Sequence, residues 1–145
     1  EGQAAMALES LALASSKTAQ SYDFDLVEAG ECLRLDFTAC LRGILGDLER
    51  RRSKKEIAWA FHLTLAKGIA AMALRIRYLT ELNRAVLSGG VFQNTVLLGE
   101  TVKLLQGNGF QVYTHQQLPP NDGGLSLGQA MVAAFHPSKL RQAKG

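Results

Sequence analysis

The chain has 145 residues, 47% of them hydrophobic and 20% charged, with a formal net charge of +3. These values are ordinary for one globular domain with a real core. The mildly basic charge does not indicate nucleic-acid binding, because no stripe of Lys and Arg alternates with aromatic residues. Cys32 and Cys40 fit no CxxC pattern, and we find no apolar run of about 20 residues and no signal peptide, so a cytoplasmic protein is expected.

The first predicted element is a helix over residues 1–16, which are rich in the good helix formers Ala, Met and Leu. The sequence begins inside this helix and lacks an initiator Met, which indicates a piece of a longer protein. Any functional site is therefore expected to be incomplete. Residues 22–37 then favour a short β-hairpin with Gly30 in its turn.

Two helices are predicted in the middle of the chain. Asp36 is placed to cap the first. The second opens with a capping box, in which the side chains of Ser53 and Glu56 bond each other's backbone amides. Its apolar stripe comprises Ala58, Phe61, Leu65, Ile69, Met72, Ile76 and Leu79. Three of these large side chains are expected to be buried core: Phe61, Leu65 and Met72.

A strand–helix–strand unit is predicted over residues 84–114, with "RAVLSG" and "FQVYTH" as its strands. The right-handed crossover rule makes these two strands a parallel pair. Pro119 and Pro120 end the second strand, since proline cannot donate to a ladder. A last helix is predicted over 124–135, and the tail 137–145 is expected to be frayed. The elements together define a helix-rich α/β chain.

Each strand of this unit is followed by a glycine pair, in "SGGVFQN" (88–94) and in "NDGG" (121–124). Open α/β sheets bind ligands at the carboxyl ends of their strands. Both loops are therefore predicted to lie on the same edge and to share one pocket. Nucleotide and metal binding there is one interpretation, and a pair of tight turns is the other.

The individual residues of these loops leave similar alternatives. Gly89 and Gly90 either form a tight turn or let a ligand approach the backbone closely. Asn94 either caps the following helix or faces a polar ligand at its N-terminus. Asp122 either caps the last helix or offers a carboxylate to a hard cation.

Other candidate sites are weaker. The basic run "ERRRSKKE" (49–56) is interpreted as a solvated turn between helices, with an anion site as the alternative. His62, His115 and His136 include no two residues four apart, so an HxxxH metal motif is absent from this sequence. His62 is interpreted as a packing residue of the long helix.

Three segments carry a resemblance to a known family: "EGQAAMALE", "LSGGVFQN" and "GFQVYTHQQLPPNDGGLSLGQA". They resemble the C-terminal end of the HypF-type carbamoyltransferases of [NiFe]-hydrogenase maturation. The resemblance implies the distal lobe of an actin-like ATPase (RNase H-like) fold, with a small mixed sheet flanked by helices. It also implies an enzyme that uses ATP and carbamoyl phosphate to form carbamoyl-adenylate. The carbamoyl group would pass to the C-terminal cysteine of HypE and become the cyanide ligand of the hydrogenase iron.

The resemblance implies roles for individual residues. Gly89, Gly90 and Asn94 would line the nucleotide site, with Gly2, and less directly Glu1, near the nucleoside. Asp122 would bind a divalent metal that bridges to the phosphates. The family takes two further metal ligands from an HxxxH motif that precedes this region, so the chain is expected to hold half of a cleft and to be inactive alone.

Two alternatives stay open at this stage. The first is a tRNA threonylcarbamoyltransferase-like protein, which shares the implied fold but acts on a different acceptor. The second is a non-catalytic interaction module that docks through its long helix. For the main interpretation the expected partners are the other domains of the parent chain and a HypE-type acceptor, with no membrane and no nucleic acid.

Overall fold

The computed structural model of the chain describes residues 2–30 and 32–135. The helices are α1 (Gln3–Leu13), α2 (Thr38–Glu49), α3 (Lys54–Thr80), α4 (Thr95–Gly107) and α5 (Leu125–Phe135). The strands are β1 (Asp25–Ala29), β2 (Cys32–Asp36), β3 (Arg84–Leu87) and β4 (Gln111–Thr114). Two short 3-10 helices, Gly90–Gln93 and Asp122–Gly124, precede α4 and α5. The order of helices and strands agrees with the sequence analysis, although α1 is shorter than predicted. The expected frayed tail lies outside the described residues.

The predicted hairpin is confirmed, with β1 and β2 antiparallel and Gly30 between them at a φ of +63°. This left-handed conformation explains why glycine occupies the turn. Asp36 acts close to the predicted place, since its carboxylate accepts from the Thr38 amide at 2.8 Å. Phe37, however, is the residue that precedes the helix. The carboxylate of Asp36, the last residue of β2, therefore accepts a hydrogen bond from the first backbone amide of α2.

The predicted capping box is wrong. Ser53 precedes α3, but its side chain makes no capping bond. Glu56 turns instead towards the segment after α1, where it accepts hydrogen bonds from the Ser15 hydroxyl and from both the hydroxyl and the amide of Ser16. The Ala19 amide also donates to it. Glu56 therefore fastens the loop after α1 to the start of α3, and tertiary contacts override the local motif.

The buried face of α3 differs from the predicted stripe. Its fully packed side chains are mostly small and include Ala58, His62, Ala66 and Ala70, which follow one another at four-residue spacing. Of the predicted stripe only Ala58 is buried. The expected core residues Phe61, Leu65 and Met72 are half-buried, as is Ile69, and Ile76 and Leu79 are exposed. Small residues let α1, α2 and α4 approach α3 closely. The large apolar side chains that α3 buries are Ile57 and Trp59, which lie outside the predicted stripe.

Helix α3 joins two core clusters. The first contains Ala12, Ala19, Trp59 and Val96, and the second contains Ala70, Leu87, Leu105 and Phe110. By length and composition alone α3 could cross a membrane, contrary to the expectation from the sequence. Half of its most apolar window is buried inside the protein, however, and core helices of soluble proteins meet the same criterion. Its packing is that of a core helix.

The predicted strand–helix–strand unit is confirmed, with β3 and β4 parallel and Leu87 paired with Thr114 at their carboxyl ends. The strands do not form the single mixed sheet that was expected. In the described residues they form two separate two-stranded sheets, β1–β2 and β3–β4. Leu35 of β2 and Val86 of β3 line the same apolar groove of about 350 Å³, so a gap lies between the two sheets.

Candidate functional site

The two glycine loops meet at the carboxyl ends of β3 and β4. The Gly89 amide donates to the Pro120 carbonyl oxygen at 2.8 Å, which joins the loops directly. Gly89 has a φ of +102°, a conformation that L side chains rarely adopt. In the second loop a Cβ on Gly124 would lie 3.2 Å from the Pro119 carbonyl oxygen, so a side chain there would crowd the backbone. The prediction that both loops share one edge is therefore confirmed.

A groove of about 980 Å³ lies beside this edge. One wall is α5, through Leu125, Gly128, Gln129, Val132 and Ala133, and the other consists of Ser88, Gly89, His115 and the loop 120–124. Ser88 Oγ and His115 Nε2 form a hydrogen bond of 2.8 Å at the floor between the strands. The groove thus combines an apolar wall with a polar end, which is the usual make-up of a small-molecule site.

The predicted site residues are distributed unevenly around this groove. Gly89 and Asp122 line it. Gly90 is next to it, where a Cβ would lie 3.9 Å from the Asn121 Cβ. Gly2 precedes α1 in a left-handed conformation and is not among the residues that line the groove, and Glu1 lies outside the described residues. Nucleotide binding by these residues stays a prediction.

Asn94 caps α4, which is one of the two alternatives that the sequence left open. Its Oδ1 accepts from the Leu97 amide at 2.9 Å, so the capping alternative is correct. Its Nδ2 lies 2.8 Å from Nε2 of the buried His62, and His62 Nδ1 lies 2.7 Å from the Ala58 carbonyl oxygen. Because a carbonyl oxygen only accepts, Nδ1 carries the hydrogen and Nε2 accepts from Asn94. His62 therefore orients Asn94 from the core.

The sequence analysis missed two residues at this site. His62 was interpreted as a packing residue of the long helix, and His115 as the end of a strand. Contact between His62 and Asn94, 32 residues apart, has no local signal in the sequence. The Ser88–His115 contact could have been inferred, because both residues directly follow strands that were predicted to be parallel neighbours.

Asp122 is the acidic side chain of the groove. It is exposed and stands at the start of the short 3-10 helix, while the neighbouring Asn121 side chain provides the cap by accepting from the Gly123 amide. In residues 2–30 and 32–135 no three His, Cys, Asp or Glu side chains are grouped as metal ligands. Asp122 fits the role of one carboxylate ligand, and a cation would need others from elsewhere.

The parallel pair β3–β4, with a groove at its carboxyl edge, has the arrangement of a ligand-binding α/β lobe. Residues 1–129 match the family described as "Carbamoyltransferase, Kae1-like Domain, second subdomain". The chain therefore belongs to this carbamoyltransferase family.

Relatives and solved structures agree with this assignment. The chain is 38% identical over 134 residues to the carbamoyltransferase HypF of Rhodobacter capsulatus, and 33% identical over 132 residues to that of Synechocystis. These matches cover 92% and 91% of the chain but only 16% of each relative, so the chain spans about one sixth of their length.

Two crystal structures of HypF resemble the chain. One, described as full-length HypF in the phosphate- and nucleotide-bound form, has a TM-score of 0.84 at 41% identity. The match covers 92% of this chain and 17% of the HypF chain in that structure. The second, T. kodakarensis HypF, has a TM-score of 0.77 at 27% identity over 96% of this chain and 17% of its own.

Proposed function

We propose that this chain is the nucleotide-binding second lobe of a HypF-type carbamoyltransferase, and that the groove beside β3 and β4 holds part of the nucleotide. The observation that carries the proposal is the convergence of both glycine loops on one groove, in a chain of this carbamoyltransferase family. The similar full-length HypF is described as phosphate- and nucleotide-bound, which supports a nucleotide as the ligand class.

Within this proposal the groove has distinct parts. The apolar wall of α5 suits a nucleoside, while the polar end at Ser88, His115 and Asp122 suits phosphate groups. Gly89, with no side chain, leaves room for close approach to the backbone. Asn94 acts indirectly, because its amide is bonded to Leu97 and His62 and thereby fixes the end of the first loop.

A divalent metal ion would be held by Asp122 together with ligands outside the described residues. Such an ion would offset phosphate charge when bound. Asp122 is suited to it because its carboxylate is exposed and lines the groove. Because this chain supplies one metal ligand, the remaining ligands would come from the rest of a longer enzyme.

The proposed overall reaction has three steps. Water first hydrolyses carbamoyl phosphate to carbamate, and inorganic phosphate leaves. A carbamate oxygen then attacks the α-phosphorus of ATP to form carbamoyl-adenylate, and pyrophosphate leaves. The thiolate of the C-terminal cysteine of a HypE-type acceptor then attacks the carbamoyl carbon, and AMP leaves. We place this reaction in the cytoplasm, as part of cyanide-ligand synthesis for [NiFe]-hydrogenase.

The test is a full-length HypF-type enzyme whose corresponding domain is replaced by this chain. We expect it to carbamoylate HypE in an ATP-dependent manner, measured by intact mass, and Asp122→Asn to reduce the rate by at least tenfold. Asp25→Asn, which removes an exposed carboxylate from β1, is the matched control and should retain full activity. Full activity of the Asp122→Asn enzyme, or no activity of the folded unmutated chimera, would contradict the proposal.

A further inference from the structure

Ser88 and His115 form a hydrogen-bonded pair at the floor of the groove. Leu87 and Thr114 are partners in the parallel ladder, so the residues that follow them lie side by side. The Ser88 Oγ to His115 Nε2 distance is 2.8 Å, and both side chains are exposed and line the groove. In the described part of the chain His115 Nδ1 has no hydrogen-bond partner. One ring nitrogen is therefore fixed by the protein and the other is available to a ligand.

The Ser88–His115 pair is important because few charged side chains line the groove. Among the described residues that line it, Asp122 is the one anionic side chain and His115 the one that can carry positive charge, since neither Lys nor Arg is present. A phosphate in the groove would be repelled by Asp122 unless a cation or a charged donor stood near it. Of the groove's own side chains, His115 alone can supply a charged donor.

Two amides of the loops are already engaged within the protein. Glycine-rich turns before helices commonly bind anions through free amides. Here the Gly89 amide donates to Pro120, and the Gly123 amide to the Asn121 side chain. These two amides are therefore not free for an anionic ligand, which leaves a role for side-chain donors.

We propose that His115, held in place by Ser88, donates a hydrogen bond from Nδ1 to a phosphoryl oxygen of the nucleotide. A phosphoryl oxygen next to Nδ1 would favour the protonation states of His115 in which Nδ1 carries a hydrogen. These are the imidazolium form and the neutral tautomer in which Ser88 donates to Nε2. His115 is thus a direct contact residue and Ser88 a positioning residue. This inference rests on the proposed function, because it assigns the polar end of the same groove.

The experiment is an NMR titration of this chain with ATP and, separately, with adenosine, since shift changes measure affinities in the millimolar range. His115→Phe should weaken ATP binding by roughly tenfold or more, the size of a lost hydrogen bond to a charged group, and leave adenosine affinity unchanged. His115→Asn, whose side-chain NH₂ takes the place of Nδ1 and keeps a neutral donor there, should restore part of the loss. Ser88→Ala should weaken ATP binding by roughly threefold.

Lys103→Gln is the charge control, because Lys103 lies on α4 and pairs with Glu100 away from the groove. It should leave the ATP affinity within about twofold of the unmutated chain. ATP affinity unaffected by His115→Phe, or an equal loss for ATP and adenosine, would overturn the inference while leaving the nucleotide groove in place. If ATP shifts resonances elsewhere on the unmutated chain but none of the groove, the proposed function fails at this groove and the inference with it.

Discussion

His62, on the core helix α3, accepts a hydrogen bond from Asn94, at the start of α4, over 2.8 Å. A series of hydrogen bonds runs from the Ala58 carbonyl through the His62 imidazole and the Asn94 side-chain amide to the Leu97 backbone amide. Each group has one consistent donor or acceptor role. A core position thereby determines where the first glycine loop ends and α4 begins.

Substituting Asn94 tests this network. Asn94→Ala removes the cap of α4 and leaves His62 Nε2 without its donor, and we expect a loss of about 2–4 kcal/mol in the free energy of unfolding. Asn94→Asp keeps the capping oxygen but places an acceptor opposite Nε2. Asn94→Asp should therefore also destabilise the protein, because two acceptors then face each other. Urea unfolding measures both effects, and equal stability of all three proteins would show that the network is unimportant.

Two glycines of α2 should respond in opposite directions to alanine. A Cβ on Gly43 would lie 2.6 Å from Cδ1 of Tyr22, whose hydroxyl donates to Asp47 at 2.8 Å and so holds the ring in place. Overpacking of about 1–3 kcal/mol should exceed the helix-propensity gain of about 1 kcal/mol, so Gly43→Ala should be destabilising.

Gly46→Ala is the matched control, since its nearest atom would be Arg50 Nη1 at 3.8 Å. It should stabilise the protein by about 0.5–1 kcal/mol. Thermal unfolding of the two variants measures the contrast. Stabilisation of both would mean that the Tyr22 ring moves freely.

The Glu56 contacts predict a pH dependence of stability. Hydrogen bonds from Ser16 and then Ser15, followed by the Ser16 and Ala19 amides, lower the pKa of Glu56 from 4.5 to about 2. A carboxyl group with a lowered pKa in the folded state contributes stability that is present above its unfolded pKa and lost as the pH falls through the folded one. Glu56 therefore stabilises the fold above pH 4.5, and this contribution should disappear between pH 4.5 and 2.

Glu56→Gln should be less stable than the unmutated chain at pH 7 and should lose less stability between pH 4.5 and 2. The measurement is denaturant unfolding across that range. Glu49→Gln, at the end of α2, is the control and should follow the unmutated curve. Parallel curves for Glu56→Gln and the unmutated chain would refute the role of this carboxylate.

Burial on the helices predicts where truncation is costly. Leu105 of α4 is 1% exposed and Leu79 of α3 is 60% exposed. Leu105→Ala should cost about 2–5 kcal/mol, because it leaves a cavity in the second core cluster. Leu79→Ala should change stability by about 0.5 kcal/mol or less. Phe61→Ala should fall between them, since Phe61 is half-buried rather than core. Chemical denaturation ranks the three, and any other order would contradict the described packing.

Activity of the isolated chain is predicted to be absent. Adenylyl transfer needs positioned cations and charge clamps around the phosphates, and Asp122 is the one carboxylate that lines the groove. We expect no ATP hydrolysis, no carbamoyl transfer, and ATP binding in the millimolar range or weaker, about −4 kcal/mol or less favourable. Calorimetric titration with ATP and a divalent metal tests this. Micromolar binding, or turnover that Asp122→Ala abolishes, would show a complete site.

The features that the sequence predicted well have local causes. Gly30 marks a chain reversal by its own backbone freedom, and the change from helical to alternating periodicity near residue 83 located the strand–helix–strand unit. The paired prolines were predicted to end the second strand, but β4 already ends at Thr114. The meeting of the two loops follows from the parallel pairing of β3 and β4 alone.

The failures have tertiary causes. Ser53 and Glu56 have the spacing of a capping box, yet Ser15 and Ser16 offer Glu56 better partners from a distant segment. The buried face of α3 was misplaced, because close helix packing buries its alanines together with Ile57 and Trp59, two large side chains outside the predicted stripe. His62 gave no signal because its partner, Asn94, is brought near only by the packing of α3 against α4.

Helix α5 forms one wall of the groove while none of its own residues is buried. It packs chiefly against the short 3-10 helix before it, and Val132 and Phe135 are 63% and 73% exposed. A ligand in the groove would cover part of this wall and hold α5 in place. Anything that packs on the other side of α5 and holds it in the same position would favour ligand binding, and by linkage the ligand would favour that packing by the same factor. The affinity of the groove for its ligand therefore depends on how firmly α5 is held in this position.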